Sequence, residues 1–250
     1  MTVVVAAFFF VYGLIFGSFY NVVGLRVPKD ESIAHPPSHC PTCDRRLTIL
    51  DLVPVFSYVF LRGKCRGCGT KISPIYPMME LITGVLFAVA YLHFGWSWEL
   101  AVALVFYSLL VVLTVSDLAY MLIPDKFLLF FGIPLVLLRI VEPLDPWWDS
   151  YLGASIGFIL LLLIAIISRG GMGGGDIKLF LVIGIVLGTV HSLVVLGLAS
   201  VIGLIFGLIS LRLTKNGRKT PIPFGPSIAI AAVIVHLYGT ELIDWYWNLF

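Results

Sequence analysis

Two kinds of side chain in this sequence could do chemistry. Cys40-Pro-Thr-Cys43 and Cys65-Arg-Gly-Cys68 are C-x-x-C pairs with 21 residues between them. Two-residue spacing lets both sulfurs of a pair turn toward one ion, and two pairs complete a tetrahedral thiolate site of the structural zinc type. Gly67 and Gly69 supply the tight turn that the second pair needs. Such a site is closed, so zinc is expected to fold the segment rather than to catalyse. Free or redox-active cysteines are the alternative, and His35 and His39 beside the first pair are rival ligands. The second kind is carboxylate. Asp117 stands in Leu113-Thr-Val-Ser-Asp-Leu-Ala-Tyr120, and Asp176 closes the run Gly170-Gly-Met-Gly-Gly-Gly-Asp176. Ionisable groups so close to hydrocarbon are unfavourable and functional by default. Two carboxylates meeting in a poorly hydrated cleft share a proton, leaving one as a base for water and the other as an acid for the carbonyl or leaving amine. That is aspartyl-protease chemistry, which uses neither a metal nor a covalent intermediate.

Each acid also has a structural reading. An Asp just before a helix caps it, which could account for Asp176 and accounts better for Asp125 beside Pro124. It does not account for Asp117, expected at a helix C-terminus where negative charge is unfavourable. The glycine run lacks the Lys-Ser/Thr of a phosphate loop. It either lets a substrate backbone approach or serves as an interhelical linker. Glu80 reads as a substrate contact or an interfacial acid, while His93, His191 and His236 read as interfacial. Pro221-Ile-Pro-Phe-Gly-Pro226 reads as a rigid entry to the last span, and Gly197, Gly203 and Gly207 as close helix packing. No Ser-His-Asp or H-E-x-x-H pattern is present.

The elements that must position these groups are membrane helices. Of 250 residues, 60% are hydrophobic and 12% charged, and the mean hydropathy is +1.04. A soluble globular domain carries roughly 25% charged residues, so a soluble enzyme, a disordered chain and a disulfide-rich secreted scaffold are excluded. The first apolar run, 2–25, has no Lys or Arg before it, as a retained helix and not a cleaved signal would. Residues 26–75 hold eight basic residues and all four cysteines. Further apolar runs at about 77–94, 98–116, 124–142, 150–168, 176–190, 192–213 and 223–240 give eight predicted spans at about 20 residues each. With that count, fifteen of the sixteen Lys and Arg residues fall on one side, in 26–75, the 117–126 turn, 169–178 and 212–220. Only Arg139 falls toward the other. Glu99, Glu142, Asp145, Asp149, Glu241 and Asp244 lie opposite, with Trp96, Trp98, Trp147, Trp148, Trp245 and Trp247 as an interfacial belt. The positive side is the cytoplasm, which puts 26–75 inside and both termini outside. The expected fold class is therefore all-α, a polytopic membrane helix bundle of about eight transmembrane helices with a cytoplasmic zinc-binding loop after the first. Its parts are 1–25, the first helix; 26–75, the zinc-binding loop; and 76–250, the membrane-embedded remainder that carries both aspartates.

Several motifs, in this order, resemble those of the type IV prepilin peptidases, membrane aspartyl enzymes of pilus, type II secretion and competence systems. Gly17-Ser-Phe-Tyr-Asn21-Val-Val-Gly-Leu-Arg26-Val-Pro28 is similar to the family's first-helix signature, with Tyr20 where Leu is usual. His39-Cys-Pro-Thr-Cys43 and Arg62-Gly-Lys-Cys65-Arg-Gly-Cys68 resemble its cysteine motifs. Tyr76-Pro-Met-Met-Glu80-Leu-Ile-Thr-Gly84 resembles its second-helix start, where Ile75 replaces an expected Arg. Asp117 with Ile123-Pro-Asp125, Gly173-Gly-Gly-Asp176-Ile-Lys178 and Pro223-Phe-Gly-Pro226 match its aspartate and last-helix regions. The resemblance implies that Asp117 and Asp176 are the catalytic pair. It implies a type IV prepilin or pseudopilin substrate, cut after a glycine between a short basic leader and a hydrophobic helix at the inner face of the bacterial cytoplasmic membrane. Many members with the cysteine loop also N-methylate the new terminus with S-adenosylmethionine, although no methyl-donor pocket is recognisable within 26–75. The partners expected are prepilins and the lipid bilayer, with no nucleic acid. The rivals are a peptidase without methyl transfer, a transporter whose acids bind cations near mid-membrane, and a zinc-loop pilus assembly factor without catalysis.

Overall fold

A computed structural model of the chain describes residues 1–168, 171–213 and 223–248. Arg169, Gly170, Lys215, Arg218, Lys219, Pro221 and Ile222 of the patterns above lie outside them. Among the described residues the only β-structure is two isolated bridges, and the rest of the regular structure is helical. The helices are α1 (Thr2–Arg26), the short α2 (Phe56–Phe60), α3 (Ile75–Phe94), α4 (Trp98–Tyr120), α5 (Asp125–Val141), α6 (Asp149–Ile167), α7 (Gly174–Leu213) and α8 (Gly225–Trp247). Six of them, all but α2 and α5, are long and apolar enough to cross a membrane. The 17-residue α5 is slightly short for that. The sequence places a connection near residue 191; the structure instead carries α7 through that point, broken at Gly188.

The chain forms two compact units, Met1–Trp96 and Ser97–Phe250. In the first, α1 lies along α3. Gly13 and Gly17 are one helical turn apart, and a methyl on either would meet α3 backbone, at Thr83 and Gly84 or at Glu80. In lipid, where apolar surface alone does not drive helices together, such small-residue faces allow the close packing that does. The Phe9 ring stacks on Tyr91 at 5.1 Å near the other end.

In the second unit α7 packs against α5, α6 and α8, and α4 against α5 and α8. Its organising feature is the break at Gly188, whose φ of +79° favours glycine. A break leaves carbonyls before it and amides after it without intrahelical partners, and in a membrane these must be met by protein. Asp149, in the first turn of α6, accepts the Thr189 N–H at 3.1 Å. The Arg139 guanidinium donates to the Val186 carbonyl at 2.6 and 3.1 Å and grips Glu99 with two bonds of 2.6 and 2.8 Å. Glu99 also takes His236 Nε2 at 2.8 Å, and His236 Nδ1 meets the Tyr107 hydroxyl at 3.1 Å. His236 is thus a buried bridge between α4 and α8 rather than an interfacial residue, its side chain only 5% exposed. Arg139, the lone cation on its side of the predicted topology, is buried for the same reason. We expect Arg139→Leu to lower stability by about 3–5 kcal/mol, because it strands a carboxylate and a carbonyl. Thermal unfolding in detergent should show the double variant Arg139→Leu/Glu99→Leu less damaged than Arg139→Leu alone; equal or greater damage would refute the coupling.

Candidate functional site

Asp117 and Asp176 are both buried, 6% and 9% exposed, in the second unit. Asp117 lies in the last turn of α4, which Met121 ends in the left-handed conformation with its N–H on the Asp117 carbonyl at 2.8 Å. The Ser116 hydroxyl then reaches the Leu122 carbonyl at 2.7 Å and folds the chain back toward α5. The turn is fitted against the start of α7. A methyl on Gly175 would strike the Ile123 side chain, and Lys178 Nζ pairs with Asp125 at 2.7 Å. That ion pair is about half exposed at both ends and contributes little energy, so the Ile123–Gly175 contact is the main register. Asp176 sits in the first turn of α7, its N–H on the Gly173 carbonyl at 3.1 Å. The outcome is that two acids 59 residues apart in sequence stand at the ends of α4 and α7 that the Ile123–Gly175 contact brings together.

Two of the sequence assignments change. Asp117 does have a structural role, because its Oδ2 accepts the N–H of Gly225 at 2.8 Å in the first turn of α8. The unfavourable end of α4 is offset by the favourable N-terminus of another helix. A methyl on Gly225 would lie 2.7 Å from that oxygen, so the glycine of Pro223-Phe-Gly-Pro226 lets the carboxylate come this close. Asp125 is not a cap: Pro124 holds the N-cap position without a side-chain bond, and Asp125 turns to Lys178. Glycine flanks both carboxylates, since a methyl on Gly173 would lie 3.0 Å from Asp176 Oδ2.

The cysteines form a second site in the first unit. All four are unbridged, their sulfurs lie within 4.8 Å of one another, and Cys40 Sγ to Cys68 Sγ is 3.7 Å. A disulfide would need about 2.05 Å, whereas four sulfurs at about 2.3 Å from one zinc stand roughly 3.8 Å apart. Residues 39–46 and 64–71 are two copies of one small hairpin. In each, the N–H of the first cysteine bonds five residues ahead, Cys40 to Arg45 and Cys65 to Thr70, and the residue after the second cysteine bonds back, Asp44 to Cys40 and Gly69 to Cys65. Asp44 and Gly69 occupy the same left-handed position, with φ of +52° and +73°. His39 bonds the Pro37 carbonyl instead, and neither it nor His35 joins the sulfur cluster.

Asp51, unremarked in the sequence, ties the two hairpins together. Its Oδ2 takes the Thr48 N–H and hydroxyl and Arg45 Nη2, while Arg66 Nε lies 3.0 Å from Oδ1. The Thr48 amide in particular holds its carboxyl below the usual carboxylate range. Thr48-x-x-Asp51 is a capping box, the one local signal that pointed to it. Glu80, in α3, is buried and accepts the Val55 N–H at 2.7 Å, so it is no interfacial acid.

Comparison with known proteins follows the same division. Residues 11–94 match the bacterial peptidase A24 N-terminal domain, and residues 104–208 match the type IV leader peptidase family. The prepilin leader peptidase/N-methyltransferase of Bacillus subtilis (strain 168) is 45% identical over 237 residues, 95% of this chain and 96% of that protein. The chain belongs to the type IV leader peptidase family. Relatives of the same description from Aeromonas salmonicida (strain A449) and Myxococcus xanthus (strain DK1622) are 35% and 38% identical. They cover 95% and 86% of this chain and 92% and 65% of their own lengths. No solved structure matches. Type IV leader peptidase membership decides against the transporter reading, and it places both Asp117 and Asp176 inside the matched peptidase segment.

Proposed function

We propose that the protein cleaves the leader from type IV prepilins or pseudopilins and N-methylates the terminus so exposed. The observation that carries the cleavage is the placing of two buried carboxylates at the ends of α4 and α7 that the Ile123–Gly175 contact holds together. In this reading Asp117 and Asp176 are the catalytic residues. One ionised carboxylate draws a proton from water as it attacks the carbonyl of the leader's last glycine, and the other, protonated, supplies a proton to the carbonyl oxygen or to the leaving amine of the next residue. Gly173 and Gly225 let main chain lie directly against the two carboxylates, where a side chain at either position would collide with them.

Four thiolates from Cys40, Cys43, Cys65 and Cys68 hold a structural zinc that orders residues 26–75. S-adenosylmethionine, when bound, would supply the methyl group to the neutral amine of the new terminus, the bonding pair remaining on the donor's sulfur and a proton leaving nitrogen. With α5 counted and α7 divided at Gly188 the chain crosses the membrane eight times. That count keeps 26–75 cytoplasmic, both termini outside, and residues 76–250 as the peptidase domain. The test is incubation of the purified protein in detergent with a prepilin and S-adenosylmethionine, followed by mass spectrometry of the product terminus. Loss of the leader together with gain of one methyl group is the expected result. An uncut prepilin would falsify the peptidase reading, and a cut but unmethylated one would leave a peptidase alone.

A further inference from the structure

The aspartate chemistry leaves unused a set of buried polar groups where α1 ends and α3 begins. They line a cavity of about 490 Å³, every wall of which lies between Ser18 and Glu80. That volume is in the range that encloses a small organic ligand. The last turns of α1 supply Asn21 and Arg26, α3 supplies Tyr76 and Glu80, and the cysteine loop supplies Tyr58 together with Cys40 and Cys65 themselves. No single stretch of sequence contains it, which is why 26–75 read alone shows no pocket.

Two of these groups point to a ligand. Asn21 is 3% exposed, and its Nδ2 donates to the Tyr76 carbonyl at 3.1 Å, but its Oδ1 is buried with no partner. A buried acceptor left unpaired is unfavourable and rare in native proteins. Glu80 is 8% exposed and is fixed by the Val55 N–H at 2.7 Å and the Ser18 hydroxyl. Neither of those partners is a cation, yet a buried carboxylate calls for one. The other walls are equally specific. Tyr58 and Tyr76 offer aromatic faces, which suit a flat heterocycle or a cation. Arg26 brings a guanidinium fork that matches a carboxylate.

We infer that this cavity, lying between the ends of α1 and α3 and the cysteine hairpins, is the binding site for S-adenosylmethionine, with Glu80 and Asn21 facing its cationic part and Arg26 its carboxylate. The inference rests on the methyltransferase reading above. It assigns to zinc a task beyond local folding: Cys40 and Cys65 are wall residues, so the metal shapes the donor pocket without touching the chemistry.

Equilibrium dialysis of the full-length protein in detergent, with S-adenosylmethionine and separately with the neutral thioether S-adenosylhomocysteine, tests this directly. The wild type should bind both and prefer the sulfonium. Asn21→Leu should weaken the donor roughly tenfold or more, the scale of one lost buried hydrogen bond. Glu80→Gln should erase the preference for sulfonium over thioether, a change that a structural role would not produce. Phe60→Ser, on an exposed side chain that is not part of the cavity wall, should bind as wild type. Retention of one zinc per chain shows that a variant is folded; if Asn21→Leu loses its zinc, the isosteric Glu80→Gln carries the decision. Wild-type binding with both variants unaffected overturns the cavity assignment alone. Absence of donor binding by the wild type overturns the methyltransferase reading with it.

Discussion

Asp117→Asn and Asp176→Asn should each lower prepilin cleavage by roughly a thousandfold or more, the scale on which positioned acid–base groups act. The structure makes asparagine the informative replacement at residue 117. Its amide oxygen can still accept the Gly225 N–H that Asp117 Oδ2 holds at 2.8 Å, so the first turn of α8 keeps its cap while the exchangeable proton is lost. Asp117→Leu removes both and should unfold at a lower temperature as well. The comparison separates chemistry from capping: an inactive Asp117→Asn with wild-type stability is expected, whereas an active one shows Asp117 to be a cap only. Because a pair sharing one proton acts as a unit, Asp117→Asn/Asp176→Asn should be no slower than either single variant. Rates from purified protein and a prepilin in detergent, with unfolding followed in parallel, decide it. Multiplying losses in the double variant would mean that the two carboxylates work independently.

How much of this was legible beforehand depended on whether a signal was local. Asp117 and Asp176 stood out because charge is scarce in a chain that is 60% hydrophobic, and the cysteines because two-residue spacing is itself the ligand geometry. What escaped was pairing across distance. The Gly225 N–H on Asp117 spans 108 residues, and the Arg139–Glu99 grip spans 40. His236 was read as interfacial because its burial depends on Glu99 and Tyr107, which belong to another helix. The joint in α7 was placed by hydropathy, which sees a lull near His191. It is fixed by backbone conformation at Gly188, where Arg139 and Asp149 arrive to meet the freed carbonyl and amide. Asp125 was assigned a cap because Pro124 precedes it, but a lysine one turn into α7 competes for the same carboxylate and takes it. In each case the local rule was sound and a partner from another element overrode it.

Stripping the metal from the cysteine hairpins should have the larger effect on structure. Binding energies for structural zinc in small folds run to about 10–16 kcal/mol near neutral pH. The segment between Asp30 and Ser73 has little else to hold it: its one α-helix is five residues long, and Ile49, Phe56, Val59 and Phe60 are exposed. Elemental analysis should find one zinc per chain in the wild type. Cys40→Ser or Cys65→Ser should lose it, and amides of 39–71 should then exchange rapidly with deuterium while those of α4 and α8 stay protected. Asp51→Asn should be milder, loosening the link between the hairpins by about 1–3 kcal/mol with zinc retained. The pH dependence distinguishes the two. Asp51 has a lowered pKa in the folded chain, so its contribution is complete above the unfolded value of about 3.9 and is lost only as pH falls through the lower folded value. Zinc released on acidification while the pH is still above about 5 therefore reports protons competing for the thiolates, not failure of the Asp51 ties. If the hairpins keep their protection after chelation, zinc is not what orders them. If they lose it and donor binding disappears in step, the metal and the cavity above it form one folding unit.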